Sequence, residues 1–339
     1  MPEGVTLILL AIFALAVGFD YINGFHDTAN AIATSVSTRA LKPHYAILMS
    51  AAANFVGALT GTAVAKTIAS GIAQTPDGHA GQVVVCAALV GAIAWNLITW
   101  RAGIPSSSSH ALIGGLIGGT LAAVWIGGQA GGLLVDGIVA KVLVPLVSSP
   151  FLGVAGGFLL MVLLLNIFRR QNPRRLNDGF RRLQVLSATF MAFSHGSNDA
   201  QKTMGIMTLA LVAAGVLATP DIPVWVILLA ASAISLGTAA GGWRIMKTMG
   251  QRVVKLDPIH GFAAETTAAT IIFGASHFGM PVSTTHVISS AIMGVGSSDR
   301  FSAVRWGIAG NIVWAWILTI PLSALMAGIA WLALDTVLG

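Results

Sequence analysis

Charge is scarce in this 339-residue sequence: 9% of residues are Asp, Glu, Lys or Arg, against 55% hydrophobic. A soluble domain carries about 25% charged residues, so the composition excludes an ordinary water-soluble fold. Cysteine is nearly absent. Cys86 stands alone, which excludes a disulfide within the monomer and a multi-cysteine metal site. No Gly-x-x-x-x-Gly-Lys-Ser/Thr run occurs, so any driving force must come from an ion gradient or a partner's ATPase. Basic residues are missing locally as well: 71–82, 127–140 and 219–223 hold no Lys or Arg.

What the chain has is apolar length. Its mean hydropathy is +0.83, and apolar runs fall at 5–19, 28–38, 45–70, 83–100, 105–126, 138–168, 185–193, 200–218, 224–243, 258–276, 280–296 and 305–335. Most are too long for the roughly 9–11-residue strands of a membrane barrel, and only helices and closed barrels satisfy the backbone in lipid. The sequence therefore reads as an all-α polytopic membrane protein, with 39 glycines suited to close helix packing. The first run lacks a basic start and is taken as a retained helix, not a signal peptide.

Basic loops are expected in the cytoplasm: Arg39 with Lys42, the arginines of 169–182, the Arg244–Lys255 cluster, and Arg300 with Arg305. Equivalent loops of the two halves differ in charge. Basic 39–44 corresponds to 219–223, neutral 71–82 to basic 244–257, and neutral 127–140 to basic 297–305. This predicts an inverted-topology repeat: 1–168 as the first copy, 169–184 as a basic cytoplasmic linker, 185–339 as the second. Five crossings per half, with both termini outside, fit the charges, and some crossings are expected as re-entrant hairpins. The linker reads as a solvated, partly helical connector that can touch anionic lipid. No nucleic-acid partner is expected.

Two motifs are duplicated. Gly24-Phe25-His26-Asp27 returns as Gly196-Ser197-Asn198-Asp199. Gly103-Ile104-Pro105-Ser106-Ser107-Ser108-Ser109-His110 returns as Gly279-Met280-Pro281-Val282-Ser283-Thr284-Thr285-His286. Matched, interrupted apolar segments point to a secondary transporter with its site at the repeat interface. The short runs flanking Asn23–Asp27 and His195–Asp199 predict helices broken at the aspartates. A carboxylate at bilayer depth costs about 2.5–3.5 kcal/mol, so Asp27 and Asp199 are read as binding a coupling cation; helix N-capping is the plainer role. The hydroxyl runs, Ser106, Ser107, Ser108 and Ser109 with Ser283, Thr284 and Thr285, are placed at helix starts. There the free N–H groups and the dipole attract an anion, and each proline is expected near the first helical position. Asn30 and Asn198 are added as substrate ligands. Glu265 lies in an apolar run and its counterpart is Leu89; Lys202 aligns with Asn30. Lys202 is read as replacing a bound cation in the second half.

Gly24–Ala33, Ser35–Ala40, His195–Asp199 and Pro281–His286 together resemble the inorganic phosphate transporter (PiT) family, often low-affinity phosphate permeases. The resemblance covers nearly the whole chain. It implies an inverted-repeat fold, a homodimer, and symport of phosphate with sodium or protons, in bacterial members as a neutral metal–phosphate complex. It also implies coupling-ion and phosphate roles for Asp27, Asn30, Asp199 and the hydroxyl runs, and a transport-critical acid at Glu265. Two departures matter: His26-Asp27 replaces the usual Asn-Asp, and Ala200-Gln201-Lys202 stands where a second Asn is usual. Both favour proton over sodium coupling. The expectation is thus a cytoplasmic-membrane importer of inorganic phosphate with no cofactor and no resident metal. Its rivals are a sulfate permease of the same fold, a divalent-metal transporter using His26, Asp27, His195 and Asp199, and an intramembrane hydrolase with a Ser109–His110 pair.

Overall fold

The computed structural model describes residues 7–338, which are helical nearly throughout. In order the elements are α1 (Leu7–Ser37), α2 (Pro43–Ala58), α3 (Ala63–Ser70), β1 (Ala73–Gln74), α4 (Gly78–Ala102), α5 (Ser108–Trp125), β2 (Gly132–Leu133), α6 (Val135–Ile138), α7 (Val144–Phe168), α8 (Pro173–Ala213), α9 (Val224–Ala240), α10 (Trp243–Lys247), α11 (Pro258–His277), α12 (Thr284–Asp299) and α13 (Trp306–Leu338). Residues 5 and 6 of the expected first helix lie outside the described residues. A π-helical stretch, Val139–Leu143, joins α6 to α7. Among the described residues, five helices are long and apolar enough to cross a membrane, or up to seven if two bent pairs each count as one span. Those pairs are α2 with α3, bent by 69°, and α9 with 244–250, bent by 62°.

Two features differ from the sequence reading. The first is an addition, a small antiparallel pair, Ala73 opposite Leu133 and Gln74 opposite Gly132, which links the 71–82 and 127–140 loops. The second concerns the aspartates. Both α1 and α8 run unbroken through them, so Asp27 and Asp199 are mid-helix and cap nothing. The cause lies in the spacing of the polar residues. Asp20, Asn23, Asp27, Asn30 and Thr34 recur every three or four positions, which lays them along one face of a helix. Every one of them is buried, so the stripe meets neighbouring helices and not lipid. The basic stretch 169–184 is also mostly helix, since only Arg169–Asn172 separate α7 from α8.

Packing sets the site at a boundary. One apolar cluster gathers Ile12 and Phe19 of α1, Met204 and Met207 of α8, and much of α4 and α5. The other gathers Ile32 and Ala33 of α1, Met191 and Ala192 of α8, and much of α11 and α12. Both long helices pass from one cluster to the other, and the interval holds Asp27 and Asp199. Contacts between halves come in reciprocal pairs: α1 on α9 and α8 on α2, α5 on α13 and α12 on α7. The glycine that opens each aspartate motif marks such a crossing. A Cβ on Gly24 would meet the Ile234 carbonyl oxygen at 2.3 Å, and one on Gly196 the Asn54 carbonyl oxygen at 2.2 Å.

Candidate functional site

The real breaks fall at the hydroxyl motifs. Gly103 (φ +67°) and Gly279 (φ +65°) adopt the left-handed conformation just after α4 and α11. Each end closes with the same pair of bonds: Gly103 N–H to Trp100 and Ile104 N–H to Thr99, Gly279 N–H to Ser276 and Met280 N–H to Ala275. That is the Schellman closure, and a proline shortly beyond it stops the helix. Pro105 and Pro281 thus sit two residues before the next N-cap, not at the first helical position, because their work is to end one helix. Ser107 and Ser283 then cap α5 and α12, each accepting the amide N–H of the histidine three residues on at 3.2 Å. The amides of Ser108, Ser109, Thr284 and Thr285 follow, where a helix offers its N–H groups no carbonyl partner. The two starts meet: the Ser109 hydroxyl donates to the Val282 carbonyl at 3.3 Å, and the His110 and His286 rings lie 4.8 Å apart.

Against these tips lies the polar face of α1 and α8. Lys202 is 1% exposed. Its Nζ donates to Asp199 Oδ1 and Ser109 Oγ, both at 2.5 Å, and to the Val282 carbonyl at 3.1 Å. Thr284 donates to Asp199 Oδ2 at 3.4 Å, and His195 Nε2 is 3.3 Å from the same oxygen. Asp27 Oδ1 is 2.6 Å from His26 Nδ1. One ligand atom each from Asp27, His195 and Asp199 lie within 4.8 Å of one another. Asn30 Nδ2 donates to Thr285 at 2.9 Å and to Thr284 at 3.4 Å. Ser106 donates to Thr99, which lies 3.3 Å from His26 Nε2.

The structure therefore unites Asp27, Asn30, Asp199, Lys202, Ser106, Ser109, Thr284 and Thr285 in one buried network. Ser108 is at the same tip with its hydroxyl unpartnered among the described residues, as are Asn30 Oδ1 and Asn198 Oδ1. Asn198 faces another way, donating to Ser276 and the Met280 carbonyl. Ser276 in turn lines a depression of about 200 Å³ together with Ser197, Gln201 and His277. Glu265 stands apart. It accepts from Thr34 and Ser187 at 2.5 Å and from Gln184 at 3.1 Å, and Thr34 is two helical turns beyond Asp27, about 10 Å. Ser109 bonds to Lys202 and Val282 and not to His110, so no nucleophile–base pair is formed.

Sequence reasoning missed Asp20, Thr34, Asn54, Thr99, Gln184 and Ser187. Asp20 and Thr34 were marked by the three-and-four spacing along α1. Asn54 holds His195 Nδ1 at 2.9 Å from another helix, and no local pattern announces such a partner.

Residues 23–327 match the phosphate transporter family. The chain is 49% identical to a probable low-affinity inorganic phosphate transporter of Bacillus subtilis (strain 168), over 97% of each sequence. It is 46% identical to a protein of the same description from Rhizobium meliloti (strain 1021), again over 97% of both. Among solved structures it is similar to one titled the sodium-dependent phosphate transporter, with a TM-score of 0.87 and 26% identity over 98% of this chain and 100% of that one. These relatives are transporters and not enzymes. With its apolar helices and buried polar centre, the chain belongs to the phosphate transporter family.

Proposed function

We propose that the protein imports inorganic phosphate across the cell membrane by symport with protons, through alternating access between two inverted repeats. The observation that carries this is the meeting of two capped helix starts over one buried ammonium–carboxylate pair. A tetrahedral oxyanion placed there receives amide N–H groups from Ser108, Ser109, Thr284 and Thr285, hydroxyls, and the Lys202 charge, which together replace its hydration. The neighbouring Asp27 and Asp199 repel an anion unless a cation or proton accompanies it. That requirement is the physical basis of coupling.

Protons suit this centre better than sodium. Sodium is a hard cation served by oxygen ligands, whereas Asp27 faces an imidazole and Asp199 faces an imidazole and an ammonium. The reciprocal packing of α1 with α9 and α8 with α2, and the matched closures at Gly103 and Gly279, support the inverted repeat of 1–168 and 185–339. Phosphate is favoured over sulfate because its remaining O–H can donate to a carboxylate beside the tips.

Radiolabelled phosphate uptake into proteoliposomes tests the reading. A pH gradient, acid outside, should drive accumulation that excess sulfate does not suppress. Accumulation driven by sodium alone would overturn proton coupling, and no phosphate uptake under either gradient would overturn the function.

A further inference from the structure

Asp20 is the acid that this centre leaves unused. It is 0% exposed, and among the described residues neither of its carboxylate oxygens has a hydrogen-bond partner. Thr203 and Asn23 lie beside it, and Thr203 Oγ1 and Asn23 Oδ1 are themselves unpartnered. The charges that face it are Asp199 and Lys202 of α8, and that ammonium is already engaged by Asp199 and Ser109. Along α9, packed on α1, there is no titratable residue, and α4 offers only Cys86 between Val83 and Trp100. Arg244 and Lys247 of α10 belong to the other end of α1, since Gly242 and Gly250 approach it at Phe25 and Ala33. His44 and Tyr45 of α2 are exposed at its first turn.

A carboxylate so enclosed is penalised far more heavily than the neutral acid. Asp20 also lies on the face of α1 that carries Asp27, two turns away, or about 10 Å. Thr34, which reaches Glu265, lies two turns beyond Asp27 on the opposite side. Two acids, Asp20 and Asp27, thus follow one face of α1, and Thr34 on the same face reaches a third, Glu265 of α11, with Asp20 at the end away from the basic loop at Arg39. Its position in the second half is Ala192, so the duplication does not explain it.

We propose that Asp20 is a proton-binding station of the transport path, loaded as the neutral acid and exchanging its proton with the Asp27–Asp199 centre. This rests on the reading of that centre as a proton-coupled phosphate site. Only an O–H bond forms and breaks, the proton entering from water and leaving to water.

Asp20→Asn, a neutral isostere, and Asp20→Glu test it. In proteoliposomes D20N should keep phosphate counterflow, which needs no gradient, and lose pH-driven accumulation. Each coupled proton raises the attainable ratio about tenfold per pH unit, so a loss of about that size is expected, with D20E retaining both activities. The infrared carbonyl absorption of buried protonated acids should lose one band in D20N relative to the wild type. That band requires no transport, so it separates failure of this assignment from failure of the phosphate reading. Full pH-driven accumulation by D20N, an unchanged band, or loss of counterflow in D20N and D20E alike would overturn the proposal.

Discussion

Lys202→Asn places in the second half the residue that the first half carries as Asn30. The ammonium it removes is buried and holds Asp199, Ser109 and the Val282 carbonyl together. Removing one partner of a buried ion pair costs about 3–5 kcal/mol, because the other charge stays behind. His195 remains 3.3 Å from Asp199, so the carboxylate keeps one polar neighbour and the lower figure, about 3 kcal/mol, is expected. If Lys202 stands in for a cation, a free one should repair the loss. Sodium at about 100 times its dissociation constant restores about 2.7 kcal/mol, close to the deficit. Thermal unfolding of purified protein in sodium chloride and in choline chloride at equal ionic strength measures this. K202N should unfold well below the wild type in choline and recover in sodium, while the wild type responds little. Equal sodium shifts in both proteins, or wild-type stability of K202N in choline, would refute the reasoning.

Two further outcomes follow from packing and from the exposed rim. Gly196→Val, whose Cβ meets the Asn54 carbonyl oxygen at 2.2 Å, should force α8 off α2 and sharply reduce the monodisperse fraction on size-exclusion chromatography; an equal fraction would show that the crossing yields. In the loop before α9, the Lys66 ammonium hydrogen-bonded to Asp221 holds that carboxyl below the usual carboxylate range. A depressed carboxyl contributes stability above its unfolded pKa that is lost as pH falls through the folded one. Both partners are more than half exposed, so Asp221→Asn should change the acid limb of the melting profile only slightly at low ionic strength. It should change nothing near 1 M salt, where the Debye length is about 3 Å. A large effect at high salt would contradict this reading.

Much of the centre was legible because polarity is expensive inside an apolar chain. Asp27, Asp199, Lys202 and the two hydroxyl runs declared themselves by composition and duplication, and the structure brings them into one network. The state of the backbone around them was not legible by the same rule. Counting apolar run length treats Asp20–Asp27 as an interruption, whereas the spacing of three and four is that of a helix with one wet face. The true stops were written in other residues, Gly103 with Pro105 and Gly279 with Pro281, where a left-handed cap and a missing N–H act together. Partners such as Asn54, Thr99 and Gln184 come from other helices. Their roles depend on crossings that no single segment encodes.

The departures from the repeat carry as much physical content as the repeat itself. The duplicated parts, two glycine crossings, two Schellman closures and two serine caps, build a frame that treats both approaches alike. Three charged side chains break that equivalence: Asp20 against Ala192, Lys202 against Asn30, and Glu265 against Leu89. Asp20 and Glu265 lie toward opposite ends of α1, two turns to either side of Asp27, the latter reached through Thr34. Lys202 touches both hydroxyl tips at the centre. A symmetric cradle can hold an anion but gives it no preferred companion from either side. On the proposed proton-symport reading, ionisable side chains present in one half alone and set at unequal depths supply that distinction, because each would change which protonation state is tolerable as access shifts. On this argument the cradle is what the halves share, and the coupling is written in what they do not.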